Sequence, residues 1–467
     1  MDASASIPNP SPSCPGCAEY VRQVGELKAT VAALQDRLDK AEVAARAAKR
    51  QAAPFSKGPP KSNPKPPGRK SGDQYGSHHR RAVPPTIDEV IEVPLPATCQ
   101  FCNSAVVETG IAQQYQTEIP RKPIHRQFNV HIGECAYCHK PVQGRHPLQT
   151  SDALGAAASQ LGPDAQVLAV QLNKEAGLSH GKISRFFKAA FDIDVSRAGV
   201  CRTMLRVAKR CEPAYQQIIQ SVQHSPTLTP DETGWRIGGK PGWLHVAVGN
   251  QATAYLVHRK RGFEAMVELI GVDYDGFMTH DGWSPYEKFI DATHQTCLSH
   301  LLRRAHELKE SAAGAGVLFP RQAKAILQES LAVRDRRDAG ELTLGQTREQ
   351  AEELSRRMAD LVCRPRANAD NETFAKHLFN HQSSLFTFLQ FEGVDATNYK
   401  AEQAIRPATV NRKVWGGNRT EIGATAQSVL MSVIRTTTQR GMDTLAFLSS
   451  TIKSVFGQHP QIIPDTG

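Results

Sequence analysis

The sequence predicts a multidomain α+β protein whose α/β core is interrupted by an α-helical insertion. Three observations lead there. A chain of 467 residues exceeds what one apolar core holds. The spacing of its apolar residues changes along the chain from a heptad, to short alternating runs, to a helical period. Asp231 and Asp281 each follow a short apolar run of strand character and enter a Gly/Trp turn, whereas Glu402 lies in a helical pattern.

Composition narrows the partners. Lys and Arg number 56 against 46 Asp and Glu, a formal net charge of +10, which favours a polyanion. The excess is concentrated, with nine Lys/Arg between Lys49 and Arg81 against one acid, Asp73. No stretch approaches eighteen uninterrupted apolar residues, and the N-terminus opens Met-Asp-Ala-Ser without a basic-then-apolar leader. No membrane partner is expected, and the expected location is cytoplasmic and nucleoid-associated. Of ten cysteines, six fall in three Cys-x-x-Cys pairs, which in a reducing compartment point to metal.

Residues 1–19 read as a disordered Pro/Ser-rich leader. Within 20–50, Tyr20, Val24, Leu27, Val31, Leu34, Leu38, Ala41, Ala45 and Ala48 recur in alternating steps of four and three, the seam of a coiled coil through which the chain is expected to self-associate. Residues 51–90 are a basic Pro-rich linker with no apolar period, suited to tracking phosphates. In 91–150, Cys99-x-x-Cys102 and Cys135-x-x-Cys138 bracket two stretches of strand character, 115–119 and 127–132. Four thiolates on two such knuckles make a closed structural Zn²⁺ site, a zinc ribbon. Cys14 and Cys17 supply only two ligands, and the sequence leaves their metal state open.

Residues 151–224 turn helical, over 164–176, 180–191 and from a Ser196 cap to 219, with a break at Gly177. Lys182, Arg185 and Arg202 on this helix-turn-helix-like domain are its expected DNA contacts. The core begins at 225 with a strand ending at Asp231. Strands at 243–249 and 252–257, a helix at 263–270, a strand at 276–280, a strand at 294–297 and a helix to 311 follow. Strand, strand, strand, helix, strand is the order of a ribonuclease-H-like fold. The helical insertion spans 312–394, the rest of the core 395–455, and a tail 456–467.

Strand end, strand end, helix is also the layout of an acidic triad, Asp231, Asp281 and Glu402. Such a triad binds two divalent cations, one activating a hydroxyl nucleophile and one stabilising the leaving oxygen of a phosphodiester. Hard oxygen ligands favour Mg²⁺ or Mn²⁺. Glu232 is left out, because adjacent side chains of a strand face opposite ways. Arg406, Arg412 and Lys413 follow Glu402 closely enough to clamp flanking phosphates. Trp415 either stacks on an unpaired base or packs in the core. His300, Arg303 and Arg304 are assigned to DNA contact.

The strings that carry these residues are Cys99-Gln-Phe-Cys102, Asp231-Glu-Thr-Gly-Trp235, Asp281-Gly-Trp283, Cys297-Leu-Ser-His300-Leu-Leu-Arg303-Arg304, and Asn398-Tyr-Lys-Ala-Glu402-Gln-Ala-Ile-Arg406-Pro407 followed by Asn411-Arg-Lys-Val-Trp415. In that order they resemble the bacterial DDE transposases of the insertion-sequence sixty-six group, transposase C type, from about Cys99 to Phe447. Gln403 stands where that family usually has Arg, and Asn398-Tyr399-Lys400 replaces its usual Asn-Asn-Ala. The resemblance implies cutting and rejoining of double-stranded DNA at element ends and target, with accessory proteins of the same element as further partners. A ribonuclease-H-like nuclease or resolvase, and a non-catalytic DNA-binding regulator derived from a transposase, are the alternatives.

Overall fold

The structure, a computed structural model, describes residues 22–31, 34–35, 83–99, 101–120, 122–150, 160–312, 314–366, 368–454 and 459–464. Cys14, Cys17, Tyr20, the seam positions from Leu38 onward and the linker up to residue 82 lie outside the described residues. The chain divides into two compact units, 1–118 and 119–467.

In the first unit residues 22–31 and 34–35 are helical, and the seam residues Val24, Leu27, Val31 and Leu34 are all exposed. The second unit opens with a hairpin of β1 (Ile132–Glu134) and β2 (Pro141–Gln143), antiparallel across the Cys135 turn. This corrects two expectations. No strand forms at 115–119, and at 127–132 only the last residue enters one. A strand needs a neighbour to pair with, and only the turn at 135–140 folds one back.

Three helices follow. In α1 (Pro163–Lys174) proline occupies the first turn, where its missing N–H costs nothing. α2 (His180–Phe191) starts at Ser179, whose hydroxyl accepts from Lys182 N, and ends at Asp192 in the left-handed region, φ 55°. α3 (Arg197–Gln223) is capped by Ser196 and runs past the expected end at 219, because Val222 is buried in the core.

The sheet that α3 packs against comprises β3 (Thr227–Ile237), β4 (Lys240–Val248), β5 (Thr253–His258), β6 (Phe277–His280) and β7 (Thr293–Thr296), in the order β5-β4-β3-β6-β7. The first three are antiparallel neighbours, while β6 and β7 run parallel to β3. α4 (Phe263–Ile270) joins β5 to β6 and α5 (Leu298–Ser311) follows β7. The strand expected to stop at Asp231 continues to Ile237. Residues 232–237 pair with β4 up to the Gly238-Gly239 turn, so Asp231 lies inside β3. Only the ladder to β6 stops short. Pro226 O accepts from Phe277 N, alternate residues of β3 face the same neighbour, and Pro230 has no N–H to offer β6.

Alternation assigns the two faces. Leu228, Ala247, Ala254, Leu256 and Met278 share a core with α1 to α4, α11 (Glu421–Gln439) and α12 (Thr444–Lys453). Trp235, Leu244, Val246, Tyr255 and Val257 face the other way, onto Ala401, Ala404, Ile405 and Ala408 of α10 (Tyr399–Trp415).

Both sheet edges are covered. Along β5, Thr253 N, Tyr255 N and Val257 N donate to Thr436 Oγ1, Ser432 Oγ and Ser428 Oγ at 3.1, 2.8 and 2.9 Å. Four helical residues rise roughly 6 Å and two strand residues roughly 7 Å, so hydroxyls every fourth residue of α11 match donors every second residue of β5. Along β7, Gln295 binds Leu385 O and Phe388 N at 3.0 and 2.9 Å, from the segment of α6 (Leu318–Asp338), α7 (Leu344–Val362), α8 (Ala369–Asn380) and α9 (Thr387–Gln390). These helices share a separate core with Leu298, Leu301 and Ala305 of α5.

Lys174, the last residue of α1, is 5% exposed and donates to a neutral acceptor, Gln427 Oε1. Burial pulls its pKa down from 10.5 to about 7. Between those values the unfolded chain binds a proton the folded chain has shed, so stability rises with pH across that window. Lys174→Met is expected to abolish that slope in pH-dependent denaturant unfolding. It should also stabilise the fold near neutrality by on the order of 3 kcal/mol, after the lost Gln427 bond is set against the removed charge.

Candidate active site

β3 and β6 bring the first two acids together. Thr227 lies opposite Phe277 and Leu228 opposite Met278, an offset of 50 that carries residue 231 to residue 281. Both side chains then fall on the sheet face covered by α10. Asp231 Oδ1 accepts from Glu232 N at 2.8 Å, and Asp281 Oδ1 accepts from Trp283 N at 2.9 Å, which closes the Asp-Gly-Trp turn.

Glu402 reaches the same face from the first turn of α10, whose two ends are tied down. At its start, Cys297 Sγ donates to Asn398 Oδ1 at 3.1 Å and Asn398 N donates to Cys297 Sγ at 3.3 Å. Asn398 is the N-cap residue but makes no side-chain cap bond, its amide being engaged across to α5. At its end, Gly416 and Gly417 take φ of 83° and 106°, and Asn418 N then bonds Arg236 O at 2.9 Å. A side chain at 417 would collide with that same carbonyl.

His300 sits where the acids converge. Its Nε2 is 3.9 Å from Glu402 Oε1. The Cys297 side chain, and to a lesser extent Asp281, raise its pKa, while burial and Arg303 oppose the rise. In turn His300 tempers Asp231. Burial pushes the Asp231 carboxyl up to about 7, Glu232 and Asp281 add to the rise, and the Glu232 N–H and His300 counter it. A desolvated Asp231 beside Asp281, with Glu402 reaching the same face, offers hard anionic oxygens, a donor chemistry that fits Mg²⁺ or Mn²⁺. Among the described residues no three Asp, Glu, His or Cys side chains are drawn together to hold one ion.

Sequence reasoning missed a second layer on the opposite face of the sheet. Glu232, with 3% of its side chain exposed, accepts from Arg261 Nε and Nη2 at 3.0 and 2.7 Å and from the Tyr286 hydroxyl at 2.7 Å. The Arg261 guanidinium lies between Trp243 and Trp283, 4.7 and 4.4 Å from their ring centres. Glu232 does face away from Asp231, as alternation requires. Its partners were hidden because they come from three separate segments, and the only local signal was the basic run 258–261 behind a strand.

The expected DNA contacts are scattered. Lys182, Arg185 and Arg202 are exposed on α2 and α3, and Arg303 is exposed beside His300. Arg304 folds over the Phe374 ring at 5.2 Å. Arg406 and Lys413 are exposed on α10. Arg412 instead turns inward, with Nη1 on Gly234 O and Thr233 Oγ1 of β3. Trp415 packs edge-on against Trp235 at 5.8 Å, and Lys174 lies over its ring.

The two cysteine knuckles have the same local form. Asn103 N bonds Cys99 O and His139 N bonds Cys135 O, both at 2.9 Å, with Asn103 and His139 at φ 56° and 55°. Backbone hydrogen bonding lowers the pKa of Cys102, through Ser104, and of Cys135, through Cys138. Lowered thiol pKa values favour the thiolate that metals take. The first pair lies in the first compact unit and the second pair in the second.

Residues 159–426, more than half of the chain, match the Transposase IS66 family. The chain belongs to that family. A comparison with curated proteins gives no match. Membership supports a transposase-type function, a DNA-modifying enzyme that binds DNA, and implies use of divalent metal. The mixed sheet with its helical cover is compatible with a transposase catalytic core. No described helix is long and apolar enough to cross a membrane.

Arg412 and Arg406 should therefore behave differently when replaced. Arg412→Leu is expected to cost about 2 kcal/mol of stability in denaturant unfolding, because it strands the Gly234 carbonyl. Arg406→Ala should leave stability unchanged and weaken DNA binding in a gel-shift titration.

Proposed function

We propose that this transposase cuts DNA at the ends of its element and joins the resulting 3′-hydroxyl to target DNA, with Asp231, Asp281 and Glu402 as its metal-binding catalytic residues. The observation that carries the reading is the shared register of β3 and β6. Continued beyond Leu228 and Met278, that register supports Asp231 beside Asp281 on the face of the helix that bears Glu402, and the chain order of strand, strand, strand, helix, strand is the one expected of a ribonuclease-H-like core.

When bound, Mg²⁺ or Mn²⁺ would supply the Lewis acidity that activates a hydroxyl and neutralises a leaving oxygen. The protein's own part is to hold and orient. Asp281 is fixed by the Trp283 N–H, Asp231 by the Glu232 N–H, and Glu402 by the anchored ends of α10. Water attacks the phosphodiester at the element end and releases a 3′-hydroxyl. That hydroxyl attacks a target phosphodiester and displaces its 3′ oxygen, with no covalent protein intermediate. Lys182, Arg185, Arg202, His300, Arg303, Arg304, Arg406 and Lys413 are the proposed DNA contacts, with Arg412 and Trp415 supporting from the core.

The local form of the turn at Cys99–Cys102, and separately that of the turn at Cys135–Cys138, supports a zinc knuckle, and the exposed seam residues Val24, Leu27, Val31 and Leu34 support self-association. Element ends joined to target separate this function from plain hydrolysis. Wild type is expected to transfer a pre-cut end in Mg²⁺, which a nuclease or a DNA-binding regulator would not do. Asp231→Asn, Asp281→Asn and Glu402→Gln should each lower cleavage by about a thousandfold, several kcal/mol of transition-state stabilisation, with DNA affinity near normal. Robust cutting by any of the three would remove that residue from the assignment.

A further inference from the structure

We propose that Glu232, Arg261, Tyr286 and Trp283 form a clamp whose role is to hold Asp231 and Asp281 at the spacing that ion binding requires. Glu232 and Arg261 are its positioning residues. The inference rests on the ion-binding reading of the two aspartates.

Beyond Leu228, backbone pairing no longer sets the separation of β3 and β6, because the last pair, Leu228 with Met278, lies three residues before the acids and Pro230 has no N–H to extend the ladder. Something else must fix it. Glu232 is covalently next to Asp231, and Trp283 supplies the N–H that orients Asp281. Arg261 grips one oxygen of Glu232 with two nitrogens while lying over the Trp283 ring, and Tyr286, three residues after Trp283, donates to the other oxygen of Glu232. Trp243 of β4 closes the stack from the other side. A planar guanidinium suits both demands at once, since its edge forks a carboxylate while its faces stack on indoles. The clamp thus joins the two aspartate-bearing segments from behind the sheet, without contacting the DNA-facing side.

Tb³⁺ luminescence excited through tryptophan reads ion binding without catalysis, on the full chain. Arg261→Lys keeps the charge but loses the fork and the flat stack. Tyr286→Phe removes one hydroxyl and changes no charge. Each is expected to weaken Tb³⁺ binding about tenfold or more, the usual scale for residues that orient metal ligands, with a melting temperature close to wild type. Asp281→Asn, measured alongside, should lose the signal. Wild-type affinity in both Arg261→Lys and Tyr286→Phe, with the signal lost in Asp281→Asn, overturns the clamp alone. Wild-type affinity in Asp281→Asn overturns the ion reading, and the clamp falls with it.

Discussion

The acidic face depends on the parallel register of β3 with β6. Because side chains alternate, a slip of one residue would send Asp281 to the opposite face, away from α10 and from Asp231. The pairing is short, Thr227 with Phe277 and Leu228 with Met278, yet it is well fixed. β3 is tied along its length to β4, Met278 and Leu228 are both fully buried, and Phe277 N is held by Pro226 O. Ending the ladder at Pro230 leaves the two strands free to part just where the carboxylates stand.

Polar groups at the two sheet edges help to locate the surrounding elements. Hydroxyls of Ser428, Ser432 and Thr436 fasten α11 to the β5 edge, and the amide of Gln295 fastens the inserted helices to the β7 edge. An uncovered edge invites pairing with another chain, and an unsatisfied buried N–H is costly, so these contacts set both position and solubility. The same logic appears at α10, where Cys297 and Asn398 set one end and Asn418 the other. Glu402 is placed by anchors at the two ends of its helix, none of which is an acid. Against this stands the local cost of a desolvated Asp231 next to Glu232 and Asp281.

Much of this was legible from residues alone. The helix at 180–191, the Ser196 cap of α3 and the helix at 263–270 follow from local signals that tertiary packing did not override. The opposed faces of Asp231 and Glu232 follow from strand alternation. The end of β3 did not, because Thr-Gly-Trp resembles a turn until β4 is seen to pair with it through Gly238. The strand at 115–119 failed for want of a partner, a property no single segment reveals. Arg412 was read as a phosphate clamp from its distance to Glu402, but which way a helical residue turns depends on what the helix packs against, here β3. The Glu232 cluster was invisible for the same reason: its members lie at 232, 261, 283 and 286, and only the sheet brings them together.

The central claim is that ions bind between Asp231, Asp281 and Glu402. Fe²⁺ substituted for Mg²⁺, with ascorbate and peroxide, cleaves a polypeptide next to the bound ion, so the cut sites map the ligands directly. The account predicts three clusters of cuts, near residues 231, 281 and 402, all suppressed by excess Mg²⁺. Cuts confined to other segments, or a pattern that Mg²⁺ does not suppress, would contradict it.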